Sequence, residues 1–219
     1  MRTLVIAPHA DDEIYGMGGT MLKLRDMGHE VMSLVVCAGG DFVFEHLGKS
    51  VERDIRLKEF EAVSKAADVQ CQMLKFEKDS LMDTVPLRDI VMEIEAVQDE
   101  FQAHRWYVAG MSYHQDHRAV FEAAMAAARP TRKTAPKEVF LYETVLYTWA
   151  PDCWKLKPNV YEDIGPYLDR KTELCRMYES QIRGEGPLST DKIRQWSLAC
   201  GVECGVRAAE RFELIRILR

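Results

Sequence analysis

Two short stretches of this chain concentrate residues that could do chemistry. The first is His9-Ala10-Asp11-Asp12-Glu13, a histidine and three carboxylates within five positions. The second is His114-Gln115-Asp116-His117, two histidines around an aspartate. Adjacent acids repel one another, and close to a buried strand end that repulsion is poorly screened. A cation relieves it. Imidazole nitrogen and carboxylate oxygen are ligands that zinc accepts, so His9 and Asp12 are candidate metal ligands, and Asp11 is left free for proton transfer. One histidine of the second stretch would complete a set of two histidines and one carboxylate. Three protein ligands leave a coordination position open, which is the arrangement of a catalytic rather than a structural zinc. The spacing leaves open which histidine that is, and the same ligand set suits ferrous iron. The competing reading of the first stretch is a solvated acidic helix start, because Asp and Glu favour that end of the helix dipole. That reading is preferred for Glu13, but it does not explain a histidine at position 9.

The elements around the two stretches are alike. Leu4 to Ala7 is a short apolar run ended by Pro8, which reads as a buried strand of a parallel sheet. After the charged cluster, Gly16 to Leu24 opens a helix. Trp106 to Gly110 likewise reads as a strand before the second cluster, and Arg118 to Ala126 as a helix after it. Strand, ligand-type residues and helix therefore occur twice in that order. In open α/β sheets ligands bind at the carboxyl ends of the strands, where two such exits can converge.

The two motifs together resemble those of the LmbE-like (PIG-L) de-N-acetylases, Ala-His-Pro-Asp-Asp-Glu after the first strand and His-Pro-Asp-His after a later one. Here they stand as Pro8-His9-Ala10-Asp11-Asp12-Glu13 and His114-Gln115-Asp116-His117. Ala10 and Gln115 replace prolines that would fix the turn backbone, but no ligand-type or acid–base residue is missing. The resemblance covers most of the chain. It implies a Rossmann-like α/β three-layer sandwich, a mostly parallel sheet with helices on both faces. It implies a zinc ion (Zn2+, with Fe2+ or another divalent metal as alternatives) held by His9, Asp12 and His117, with Asp11 as the base. A protonated His114 would stabilise the oxyanion or protonate the leaving amine, and Asp116 would orient His114. The implied reaction is hydrolytic removal of an acetyl group from an N-acetylated sugar or sugar conjugate of the N-acetylglucosamine type. By the same resemblance Arg56, paired with Glu59 as Arg-x-x-Glu, reaches the substrate or orders the pocket loop. The bland alternative for Arg56 is a solvated charged helix face. Asp79 matches an aspartate that binds sugar hydroxyls, with Asp83 as the other alignment and turn or cap duty as the bland alternative for either.

The rest of the chain bounds these expectations. A length of 219 residues fits one domain spanning 1–219. A net charge of −6 argues against nucleic-acid binding. The chain enters its first strand without a signal peptide and has no apolar span long enough to cross a bilayer, so a cytoplasmic protein is expected. Six cysteines without a C-x-x-C pair read as reduced thiols. Whether the chain forms a homo-oligomer is left open. Further strands are expected at 30–37, 69–76 and 138–144, the last clear one, with 212–218 as a closing edge strand. Helices are expected at 51–67, 86–103, 163–181 and 189–207. Tyr147 to Tyr161 reads as irregular, and the loop around His46 could line a pocket. A dinucleotide-binding oxidoreductase is disfavoured, because Met21 stands where the glycine fingerprint wants a small residue and no acid ends the second strand. A metallohydrolase of another acyl amide or a phosphoester, and a non-catalytic metal- or sugar-binding protein, are the competing functions.

Overall fold

The computed structural model describes residues 1–38, 52–76, 81–144, 155–182 and 189–219. Its central strand is β1 (Arg2–Ala7), whose residues from Thr3 onward are all buried. A strand covered on both faces can be apolar at every position, and this one nearly is. It pairs in parallel with β2 (Glu30–Val35) on one side and with β4 (Arg105–Ala109) on the other. β3 (Gln70–Met73) continues the sheet beyond β2, and β5 (Glu138–Tyr142) continues it beyond β4, both in parallel. β7 (Ala209–Ile217) lies antiparallel to β5, and β6 (Val160–Asp163) lies antiparallel to β7. The strand order is β3-β2-β1-β4-β5-β7-β6.

Alternation along the strands divides the core between two helical layers. Leu4, Ile6, Trp106 and Val108 pack with Ile90 and Ile94 of α3 (Leu87–Phe101) and with Val120 and Ala124 of α4 (Gln115–Ala127). Val5, Ala7, Tyr107 and Ala109 face the opposite layer. That layer contains α1 (Asp12–Asp26), α2 (Arg53–Ala66), α5 (Leu168–Arg176) and α6 (Thr190–Cys204), represented by Ile14, Phe60, Leu174 and Ile193. The result is the three-layer α/β sandwich that the resemblance implied. No helix among the described residues is long and apolar enough to cross a membrane.

Helix α1 is broken. Met17 has φ −145° and ψ 22°, outside helical values. The break frees the amides of Gly19 and Thr20, which donate to Glu210 of β7 at 2.9 and 2.6 Å. Lys171 of α5 neutralises that buried carboxylate from 2.7 Å, and both side chains are nearly excluded from solvent. Two glycines let the helix sit this close to its neighbours. A Cβ on Gly16 would lie 2.5 Å from the Tyr142 ring, and one on Gly19 would lie 2.8 Å from three carbons of Ile164.

Several expected boundaries differ. The closing strand is longer than 212–218 and is interior, because β6 covers its outer side. Tyr161, expected in irregular chain, lies within β6; residues 145–154 fall outside the described residues. The helix expected at 163–181 is α-helical only over Leu168–Arg176, with 3-10 turns at Gly165–Tyr167 and Glu179–Gln181 on either side. Pro166 removes an amide at the first of these turns. Cys37, Cys71, Cys175, Cys200 and Cys204 carry free thiols.

Candidate metal centre

The strand order reverses direction between β1 and β4: the chain builds outward to β2 and β3 on one side and to β5 on the other. In an open α/β sheet the crevice outside the carboxyl ends of two such strands is where ligands bind. Both charged clusters leave the sheet there. After β1, Pro8 to Asp11 turn the chain into α1, so Asp12 stands in the first helical turn. After β4, His114 caps α4, its Nδ1 accepting from the Asp116 amide at 3.2 Å. Asp116 and His117 therefore sit in the first turn of α4, where both are buried.

Three donor atoms converge. His117 Nε2 lies 3.3 Å from Asp12 Oδ2 and 3.3 Å from His9 Nδ1, and His9 Nδ1 lies 3.6 Å from Asp12 Oδ2. Tetrahedral ligands at zinc-like bond lengths of about 2.0–2.2 Å stand about 3.3–3.6 Å apart, so this triangle fits one ion. The tautomer of His9 fits as well. Its Nε2–H donates to Asp116 Oδ2 at 3.0 Å, which leaves a lone pair on Nδ1, the corner of the triangle. The other Asp116 oxygen accepts from the Met82 amide at 2.9 Å.

Electrostatics agree with this donor set. Burial alone would raise the Asp12 carboxyl, but His117, His9 and the His9 amide outweigh it and hold it down to about 2. Burial lowers His9, only partly countered by its bond to Asp116. Burial beside His9 and His117 drives His114 down to about 4. The anion and the neutral imidazoles are the forms that bind a cation.

Several expectations about individual residues change. Asp116 bonds to the His9 ring rather than to that of His114, whose Nδ1 is 3.7 Å from Asp116 Oδ2 and already accepts from the Asp116 amide. Burial beside His9 and His117 favours the neutral form of His114, and with Nδ1 accepting from the Asp116 amide the ring hydrogen of that form lies on Nε2. Glu13 is not solvated. It is 1% exposed, accepts from the Asp11 amide at 3.0 Å and from the Tyr178 hydroxyl, and burial pushes its carboxyl up to about 7. Asp11 is buried too, with φ 134°. Arg56 is also buried, and it donates to the Ala38 carbonyl at 2.7 Å, just beyond β2. Glu59 turns instead to Ser180, accepting from its amide at 2.8 Å and its hydroxyl at 2.5 Å. Asp83 is exposed in a 3-10 turn. Asp79 and His46 lie outside the described residues. Sequence reasoning missed the Met82 amide and Tyr178. A backbone amide carries no residue-type signal, and Tyr178 stands 165 residues from its partner Glu13.

Known proteins resemble this chain in sequence and in fold. The family model described as PIG-L, GlcNAc-PI de-N-acetylase, matches residues 4–128, a span that contains both motifs. A Bacillus cereus protein named "Probable N-acetyl-alpha-D-glucosaminyl L-malate deacetylase 2" is 27% identical over 190 residues, 82% of this chain and 83% of that protein. Among solved structures, the N,N'-diacetylchitobiose deacetylase of Pyrococcus horikoshii superposes with a TM-score of 0.76 at 22% identity, covering 98% of this chain and 83% of the other. GalB of Pseudomonas putida, a 4-carboxy-2-hydroxymuconate hydratase, superposes with a TM-score of 0.80 at 16% identity, covering 100% and 99%. At these identities the structural likenesses show a shared fold.

Proposed function

This chain belongs to the PIG-L family, and from that premise we propose that it is a zinc-dependent hydrolase. Its substrate is an N-acetylated sugar or sugar conjugate of the N-acetylglucosamine type, from which it removes the acetyl group. The observation that carries this reading is the triangle of His9 Nδ1, Asp12 Oδ2 and His117 Nε2 at the β1–β4 switch point. The names of the Bacillus and Pyrococcus relatives, both deacetylases of N-acetylated sugars, support the substrate class. The GalB likeness shows one fold serving different reactions, so family membership and the residues of the triangle, not the fold, select hydrolysis here.

When bound in the triangle, a divalent ion supplies Lewis acidity to a water molecule and to the acyl carbonyl. The chain's own residues move the protons. Asp11 accepts one from the attacking water, a general-base contribution of about 10²–10⁴-fold, and passes it to the leaving amine as the carbon–nitrogen bond breaks. His114, neutral and protonated on Nε2, donates that N–H to the carbonyl oxygen as charge develops there. Asp116 keeps the His9 proton on Nε2, away from the donor triangle. Arg56 orders the chain leaving β2 through its bond to Ala38, and Asp79 binds sugar hydroxyls.

Acetate release tests the reading. Metal-stripped protein is offered a panel of N-acetylated sugars and conjugates, with and without added zinc. Release that depends on zinc, is lost in Asp11→Ala with zinc still bound, and is lost in His117→Ala together with zinc affinity is the expected pattern. Tight zinc binding without acetate release from any panel member turns the reading towards another acyl group. Full turnover by Asp11→Ala sinks the mechanism.

A further inference from the structure

One buried acid at the site is given no task by that reading. Glu13 stands in the first turn of α1. One of its oxygens accepts from the Asp11 amide at 3.0 Å, and the other accepts from the Tyr178 hydroxyl. Asp11 is in an unusual conformation, with φ 134° and ψ −34°. A side chain clashes with its own backbone in that region, which is why residues other than glycine avoid it. Something must hold it there. Both sides of its backbone are engaged: the amide by Glu13, and the carbonyl by the Tyr15 amide at 2.9 Å. A return of Asp11 to negative φ would swing its amide away from Glu13 and leave a buried donor and a buried carboxylate oxygen without each other.

The clamp is itself braced. Tyr178 is 1% exposed and packs edge-on against Tyr15, with ring centroids 6.1 Å apart. Two residues on, Ser180 is held by Glu59 of α2 through both its amide and its hydroxyl. A continuous path therefore runs from α2 through residues 178–180 to the amide of Asp11.

We propose that Glu13 is a positioning residue that locks Asp11 in a strained backbone conformation and so fixes the base relative to the donor triangle. The functional half of this inference rests on Asp11 acting as the base. Glu13 touches neither metal nor substrate. Its effect passes through the peptide that carries the Asp11 side chain.

The test compares Glu13→Ala and Glu13→Gln in the zinc-loaded protein. In crystals, E13A relaxes Asp11 to negative φ. E13Q, whose amide oxygen still accepts from the Asp11 amide, keeps the wild-type conformation. Zinc affinity stays at the wild-type level in both. With N-acetylglucosamine as substrate, E13A lowers kcat by about 10²-fold, the loss expected when a catalytic group moves by about 1 Å. KM is unchanged, and E13Q restores most of the rate. In an Asp11→Ala background, E13A causes no further loss, because the group it positions is gone. Glu13→Asp, one methylene too short, replaces E13A in this comparison if E13A does not fold. An Asp11 that keeps its positive φ without the Glu13 carboxylate overturns the proposal whatever the kinetics. An equal loss from E13A with and without the Asp11 carboxylate also overturns it, because that marks general damage. Wild-type turnover by Asp11→Ala alone removes the proposed base instead, and the crystal readout still decides whether Glu13 fixes the backbone.

Discussion

Asp116→Asn tests the tautomer on which the donor triangle depends. The Asp116 carboxylate accepts from His9 Nε2 at 3.0 Å through one oxygen and from the Met82 amide at 2.9 Å through the other. Asparagine offers one oxygen and one NH2 group. The Met82 amide can only donate, so the oxygen goes to it and the NH2 faces His9. Two donors then meet at His9 Nε2 unless the imidazole moves its proton to Nδ1. That move places an N–H where the triangle needs a lone pair. Loss of the partner that orients a ligating histidine costs about 10–100-fold in metal affinity, or about 1.4–2.7 kcal/mol. D116N belongs at the upper end, because it opposes the correct tautomer as well as ceasing to support it. Asp116→Ala removes the acceptor but installs no opposing donor, so it loses less affinity. It is the less stable of the two, because it strands the buried Met82 amide. The assay is zinc affinity by competition with a chromophoric chelator, beside urea denaturation of the metal-free proteins. A wild-type zinc affinity in D116N would refute the reasoning, as would D116A binding zinc more weakly than D116N.

Three further predictions concern the scaffold. Lys171→Met leaves Glu210 buried beside the two α1 amides without its countercharge and should cost about 3–5 kcal/mol in urea unfolding. Lys171→Met with Glu210→Gln removes the buried charge but turns an NH2 towards one of the two α1 amides, so it should recover only part of that, and equal losses in the single and double variants would show that charge is not the cause. Gly19→Ala drives a methyl group to 2.8 Å from Ile164 and should cost about 1–3 kcal/mol in the same assay, so unchanged stability would mean that Ile164 gives way freely. Burial pushes the Cys175 thiol up to about 12 and the Cys200 thiol up to about 11. At pH 8 only about one Cys175 in 10⁴ is thiolate, so peptide mapping after iodoacetamide treatment of native protein should find both unlabelled, with labelling appearing on denaturation.

The parts of the site legible in the sequence were those written in local pattern. The run Leu4–Ala7 and the stretch from Trp106 to Ala109 read as buried strands because apolar residues fill both faces, and each is followed within five residues by ligand-type residues. That brought His9, Asp12 and one histidine of the second cluster to the same sheet edge, and the resemblance to the PIG-L family singled out His117. The errors lie where partners are distant. Glu13 reads as a solvated helix acid until Tyr178, far along the chain, covers it. The resemblance gives Asp116 to its near neighbour His114, whereas its carboxylate accepts from His9, 107 residues away in the chain. β6 escaped notice because it has only four residues with alternating partial exposure, the weak pattern of an edge. β7 was read as an edge because periodicity gives a strand's burial but not its place in the sheet.

The span between the two motifs bears on how the molecule assembles. His9 and His117 are 108 residues apart, and they meet only once β1 has paired with β4. An ion held by both is a clasp across that loop. Because it binds the native chain and not the unfolded one, it adds about 4 kcal/mol of stability at a thousand times its dissociation constant. The pairing of β1 with β2 uses nearer neighbours in the chain and builds no binding site by itself. Tight metal capture during refolding therefore reports one event, closure of the sheet's centre. Its rate can be set against that of the nearer β1–β2 pairing, which topology alone expects to be faster.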